Sequence, residues 1–201
     1  MGLEFEHRPI SLFRPIPAFS AINPLLKAPI VTTHDGVVLM ESSDIPGALA
    51  ALHPELPSLW PADAAKRVAA ASLTGIALTV GEKAVLLFYE GALRPPEAQY
   101  GPWRERVADQ FDQGLGLLEA GVPSERWIGG GALGQADIDV ACMVAFARMK
   151  FPDRVGAAAR WRDGAGEGGV GTRATSPACG RRDAVRQRHA RIERRARRIR
   201  L

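Results

Sequence analysis

At 201 residues, with 46% hydrophobic and 24% charged residues, the chain is long enough for one or two compact domains with real cores, which excludes disorder throughout. No run approaches the roughly 18 uninterrupted apolar residues of a membrane span, and no basic stretch leads into an apolar one at the N-terminus, so cytoplasm is the expected location. The net charge of +4 divides unevenly: residues 1–151 carry 12 Lys+Arg against 17 Asp+Glu, a net of −5, whereas residues 152–201 carry 14 Arg, no Lys and 5 acids, a net of +9.

The sequence pI near 9.5 therefore describes the tail, and does not make the body a nucleic-acid binder. Two cysteines exclude a disulfide framework or a metal cluster, and Cys142, inside an apolar run, reads as a packed thiol.

In chain order, Leu3, Phe5 and His7 alternate with Glu4 and Glu6, the period of a half-buried strand. Prolines at 15, 17 and 24 allow at most a short helix around Ala18–Ile22. Pro29–Thr33 and Val37–Met40 flank His34-Asp35-Gly36 and predict an antiparallel hairpin. Glu41-Ser42-Ser43-Asp44 before Ile45, Leu49 and Leu52 predicts a serine-capped helix with Pro46 in its first turn. His53–Pro61, with three prolines, reads as a linker docked by Trp60.

Beyond Asp63 the period becomes helical. Leu73, Ile76, Ala77, Val80, Ala84, Leu87 and Phe88 share one face of a helix ending before Pro95-Pro96. A second helix starts near Pro102 and carries Trp103, Val107, Phe111, Leu115 and Leu118. A third, Asp137–Met149, is apolar nearly all round and is expected to be buried in the middle of a bundle. The fold class is thus α/β plus all-α: a partial α/β lobe over 1–53, a linker over 54–61, a helical domain over 62–151 and an Arg/Gly-rich tail over 152–201.

The chemistry concentrates between Asn23 and Ser42. A cis bond before Pro29 would turn the Ala28 backbone outward, leaving its N–H and C=O free to pair with an extended peptide. The Ser42 hydroxyl and amides at a helix start suit a carboxylate, Glu41 an ammonium group, and Lys27 a second carboxylate. A small peptide with two carboxylates and one amine, such as glutathione, fits that polarity. Taken singly, Glu41-Ser42 is a helix cap, Lys27 a solvated charge and Pro29 a turn residue.

Joined in this order, the strings AINPLLKAPIVTTHDGVVLMESSDI, SLWPADAAKRVAAASLTGIALTVGEKAVLLFYEGALRP and GALGQADIDVACMVAFAR resemble the glutathione S-transferase family, bacterial cytosolic type, over about residues 3–150. The resemblance implies an incomplete thioredoxin-like lobe followed by a glutathione-transferase-type helical domain. It implies glutathione binding by Lys27, Ala28, Pro29, Glu41 and Ser42, with glutathione as co-substrate and no resident cofactor. Phe88 and Tyr89 lie where the family lines its electrophile pocket, although core packing is the competing role. Asp137 matches the acidic cap of the buried helix, but Gly134 stands where Ser or Thr is common, leaving half of the reciprocal bonding. Homodimerisation rests on the resemblance alone.

The family places a strand, a helix and the thiol-activating residue ahead of the segment that matches Leu3-Glu4-Phe5. This sequence opens without them and is expected to be truncated, with a poorly closed lobe and impaired conjugation. Ser11, Ser20 and Tyr89 match no activating position, so no catalytic residue is assigned. After Pro152 the arginine-only basicity resembles GC-rich DNA read out of frame. The favoured function is a glutathione-binding remnant of the transferase; the alternatives are an active transferase and nonspecific nucleic-acid binding through Arg181–Arg200.

Overall fold

Gly36 makes the tight turn of a hairpin, at a φ of 86° that costs glycine nothing and other residues strain. In the computed structural model, which describes residues 3–10 and 16–155, it joins β1 (Ile30–Thr32) to β2 (Val38–Met40). The pair is antiparallel, with Ile30 opposite Met40 and Thr32 opposite Val38. Thr33 locks the turn from both sides: its N–H donates to the Val37 carbonyl at 2.9 Å, and its hydroxyl accepts the Val37 N–H at 3.0 Å. The expected hairpin therefore forms, trimmed by one or two residues on each strand.

Before it lies α1 (Ile16–Ser20), where Phe19 is buried and its carbonyl receives the N–H groups of both Ile22 and Asn23. After it comes α2 (Ile45–Leu52), with Pro46 in the first turn, where a missing N–H is harmless. These elements make up the first of two compact units, Met1–Leu59 and Trp60–Leu201.

Two expectations for this unit are corrected. Leu3–His7 forms no strand, and Phe5 is 82% exposed. A strand needs a neighbour for its N–H and C=O groups, and the sheet of the described residues contains only β1 and β2. The helix after the hairpin is not serine-capped either: its N-cap is Asp44, which makes no side-chain cap bond. Glu41 replaces that function through its backbone, because its carbonyl accepts the Asp44 and Ile45 N–H groups at 3.0 and 3.1 Å.

The second unit is built on α3 (Ala64–Leu93), started by Asp63, whose carboxylate accepts the Lys66 N–H at 2.9 Å. Its Leu73, Ala77, Val80, Ala84 and Leu87 are buried against α4 (Gly101–Gly121) and α5 (Gln135–Lys150). Phe111, Leu115 and Leu118 from α4 and Val140, Val144 and Ala147 from α5 complete that core. Glu90 closes the connection from α3 to α4 by accepting the Tyr100 N–H at 3.2 Å. Among the described residues α3 is the one helix long and apolar enough to cross a membrane, yet its apolar stripe is this shared core.

The fifth helix departs from its expected burial. Cys142, Ala145 and Met149 are exposed, Met149 by 67%. One side of α5 packs on α3, and among the described residues nothing covers the opposite side, so an all-round apolar pattern leaves one face in solvent. The Arg-rich segment from residue 156, including Cys179 and Arg181–Arg200, and Ser11 lie outside the described residues.

Close approach between α3 and α4 yields a stability test. A Cβ at Gly114 would sit 2.6 Å from Cγ2 of the fully buried Val80, whereas one at Gly116 would meet nothing within 4 Å. Gly114→Ala is expected to cost about 1–3 kcal/mol by overpacking, and Gly116→Ala to stabilise by roughly 0.5–1 kcal/mol through helix propensity. Thermal unfolding of both variants measures this, and equal shifts would contradict the tight seam.

Candidate functional site

The open end of the hairpin gathers the residues singled out above. The ladder finishes with Ile30 opposite Met40, so Pro29 and Ala28 leave it at the same end as Glu41 and Ser42. The Ala28–Pro29 bond is cis. Ala28 is exposed and Ser42 half-buried.

Asn23, 1% exposed, shapes the approach to this end. Its Oδ1 accepts the Leu25 N–H at 3.1 Å and its Nδ2 donates to the Lys27 carbonyl at 2.9 Å. The chain is thereby folded back over residues 23–27, with Leu26 at a φ of 52°. Nothing in the motif around Asn23 assigns it this task; its signal is an amide residue before a proline, which bonds its own following backbone.

Lys27 Nζ forms an ion pair with Glu41 Oε2. Glu41 holds a φ of 76°, uncommon for a residue with a Cβ. That conformation ends β2, delivers its carbonyl to the start of α2 and brings its carboxylate to Lys27. The side chains remain 50% and 44% exposed, so a pair of this kind contributes only about 0–1 kcal/mol and opens readily.

In the helical unit, the neighbours Phe88 and Tyr89 on α3 hold their rings 5.9 Å apart and tilted by 49°. Phe88 is half-buried and Tyr89 is 39% exposed. Among the described residues no three His, Cys, Asp or Glu side chains form a group that could hold a metal ion.

Comparison with known proteins identifies the architecture. The profile of the glutathione S-transferase N-terminal domain matches residues 1–57, and that of the glutathione S-transferase C-terminal domain matches residues 101–167, together more than half the chain. The chain belongs to the glutathione S-transferase family. A glutathione transferase family member from Pseudomonas fluorescens Pf-5, solved with bound glutathione, is 28% identical over 73% of this chain and 69% of its own, with a TM-score of 0.58. A glutathione S-transferase from Methylobacillus flagellatus KT, also with glutathione bound, is 25% identical over 77% of this chain and 83% of its own, with a TM-score of 0.60. The fold is shared too with a glutathione S-transferase from Methylobacterium radiotolerans JCM 2831, at 23% identity, coverage of 85% and 78%, and a TM-score of 0.69. No curated protein matches the sequence.

The helical half of this transferase-family chain is organised around two acids near the start of α5. Asp137 Oδ2 accepts the Gly134 N–H at 2.8 Å, and its Oδ1 accepts the Ile128 N–H at 2.9 Å, which ties the glycine-rich loop to the helix. Gly134 has no side chain to return the bond. Asp139 is buried, with Oδ1 accepting from Gln135 Nε2 at 2.9 Å, while its Oδ2 and the buried Thr74 hydroxyl close no hydrogen bond of good geometry. Cys142 is exposed rather than packed, yet local desolvation, reinforced by the Asp139 charge, pushes its thiol up, so it stays protonated and is a poor nucleophile.

Burial pushes the Asp139 carboxyl above its ordinary value, and hydrogen-bonding pulls from Gln135 and, more weakly placed, Thr74 offset this only in part. A raised folded-state pKa means the folded chain holds this proton more tightly than the unfolded chain. Stability is therefore lost as pH climbs from the usual carboxylate range, about 4, through the folded value. Asp139→Asn keeps an acceptor for Gln135 and abolishes that slope. Its melting temperature is expected to rise relative to the parent as pH goes from about 4 to 7; parallel melting curves would show that the proton is not linked to folding.

Proposed function

We propose that this chain binds glutathione at the open end of its hairpin, and that the five residues gathered there bind it without activating the thiol. The observation that carries the reading is the Lys27–Glu41 ion pair beside the Ala28–Pro29 bond. The Pf-5 and Methylobacillus relatives, solved with glutathione, support it.

Glutathione at neutral pH carries one ammonium group, two carboxylates and a protonated thiol. Exchange of partners accounts for its binding: the ammonium group takes Glu41 and one carboxylate takes Lys27. The Ser42 hydroxyl and the backbone N–H groups of Ser42 and Ser43, ahead of the two held by the Glu41 carbonyl, receive the other carboxylate, and the Ala28 main chain pairs with the ligand's peptide. A hydrogen bond to a charged group is worth about 1.5–3 kcal/mol, more than the exposed ion pair it replaces.

Thiolate formation needs a donor or cation aimed at the sulfur, and none of these five residues is assigned that task. The Ser20 hydroxyl donates to the Pro17 carbonyl, and Tyr89 belongs to the helical unit, where with Phe88 it forms the wall against which an electrophile packs. A cytoplasmic, homodimeric protein completes the reading.

Calorimetric titration with glutathione is the test. Lys27→Met and Glu41→Gln are each expected to weaken binding about tenfold, the equivalent of 1.4 kcal/mol, without lowering the melting temperature. Undiminished affinity in both variants would remove the proposed site. With chlorodinitrobenzene and glutathione, the rate is expected to equal the uncatalysed background; turnover above it would replace the binding reading with a catalytic one.

A further inference from the structure

Lys150 ends α5, where a cation is favoured by the helix dipole and is ordinarily solvated. Here its Nζ lies 4.0 Å from the centroid of the Phe88 ring on α3, and the side chain is half-buried. The α3–α5 seam explains this placement. Two turns earlier in both helices, Gly81 faces Met143 so closely that a Cβ would come within 2.2 Å of its sulfur. Seven residues on, the same register brings Phe88 and Lys150 together, and the glycine contact fixes how deeply the two helices approach.

The ring accepts the ammonium electrostatically but takes no proton from it, and Lys150 has three N–H donors. No carboxylate pairs with Lys150 among the described residues. A cation with donors to spare is thus held against the Phe88 ring, whose neighbour Tyr89, its ring 5.9 Å from that of Phe88, is partly exposed.

We infer that Phe88, Tyr89 and Lys150 form a subsite selective for anionic aromatic ligands, the rings packing on the aromatic body and the ammonium pairing with a carboxylate or sulfonate. This deepens the reading of Phe88 and Tyr89 as the electrophile wall, and rests on it. The second cation in the last turn of α5 is Arg148, whose Nε and Nη2 are buried without partners. Its position two residues from Lys150 sets it on the other side of the helix, so it is the control.

Ligand-observed NMR titration of the full chain with 4-nitrobenzoate and with nitrobenzene tests the subsite without glutathione. The chain is expected to bind 4-nitrobenzoate at least fivefold more tightly than nitrobenzene. Lys150→Gln should abolish that preference while leaving nitrobenzene binding unchanged, and Lys150→Arg should retain it. Equal binding of the two ligands to the parent chain overturns the subsite and leaves the aromatic wall standing; absence of binding by either removes both. A preference that survives in Lys150→Gln and vanishes in Arg148→Gln assigns the anion to Arg148 and also overturns the inference. Glutathione affinity, titrated separately, should be the same in all these variants, so loss of the hairpin site and loss of this one are told apart.

Discussion

Close helix packing around α3 is the constraint on which the larger unit depends. A thirty-residue helix with a continuous apolar stripe must bury that stripe, and α4 and α5 do so by approaching where side chains are smallest. Val80 fits over Gly114 on one side, and Met143 fits over Gly81 on the other. With the glycines in place, the fully buried Phe111 and Leu118 pack into the remaining space. That same depth of approach sets which residues meet farther along the seam, so the position of Lys150 over Phe88 follows from packing decided two turns away.

The smaller unit is organised by different forces. Its buried side chains among the described residues are few, namely Phe19, Asn23 and Ile45. Hydrogen bonds of the turns therefore carry much of its definition: Asn23 over residues 23–27, Thr33 across the hairpin, and the Glu41 carbonyl at the entrance to α2. Each of these is local in sequence. A unit held by local bonds and a short ladder opens at lower free energy than a unit with a shared core, and the candidate residues at the hairpin end sit in this less strongly held unit.

What the sequence made legible follows the same division between local and distant causes. The hairpin could be read because Gly36 and its neighbours specify a turn within four residues, and α3 because a period of three and four repeats along its length. Leu3–His7 misled because alternation states only that a strand would have two faces, whereas a strand exists when another backbone lies beside it. The helix over Gln135–Lys150 misled in a related way: an all-round apolar pattern reports what a helix tolerates, not how many neighbours cover it. The sequence shows Lys27 and Glu41 as charged groups flanking the hairpin, each a candidate for a ligand charge, but their mutual pairing depends on the left-handed turn at Glu41, which glutamate rarely adopts and its sequence does not announce. Lys150 was invisible because its partner lies 62 positions earlier and is reached only through the helix register.

The ion pair at the hairpin end has a physical logic that the rest of the site inherits. Two opposite charges with no partner would repel ligands of the wrong sign and attract ions indiscriminately, while a deeply buried pair would resist opening because its desolvation has already been offset by its own attraction. Half-exposed side chains fall between these limits. Water screens their attraction, and in the proposed binding mode a zwitterionic peptide would insert its own ammonium and carboxylate groups between them, converting one weak pair into two charge-assisted contacts. A ligand carrying only one of the two charges would break the pair and satisfy half of it, leaving a stranded charge. On the proposed binding mode, selectivity for a peptide that carries both an ammonium and a carboxylate group would come from the cost of incomplete replacement as much as from the strength of any single bond.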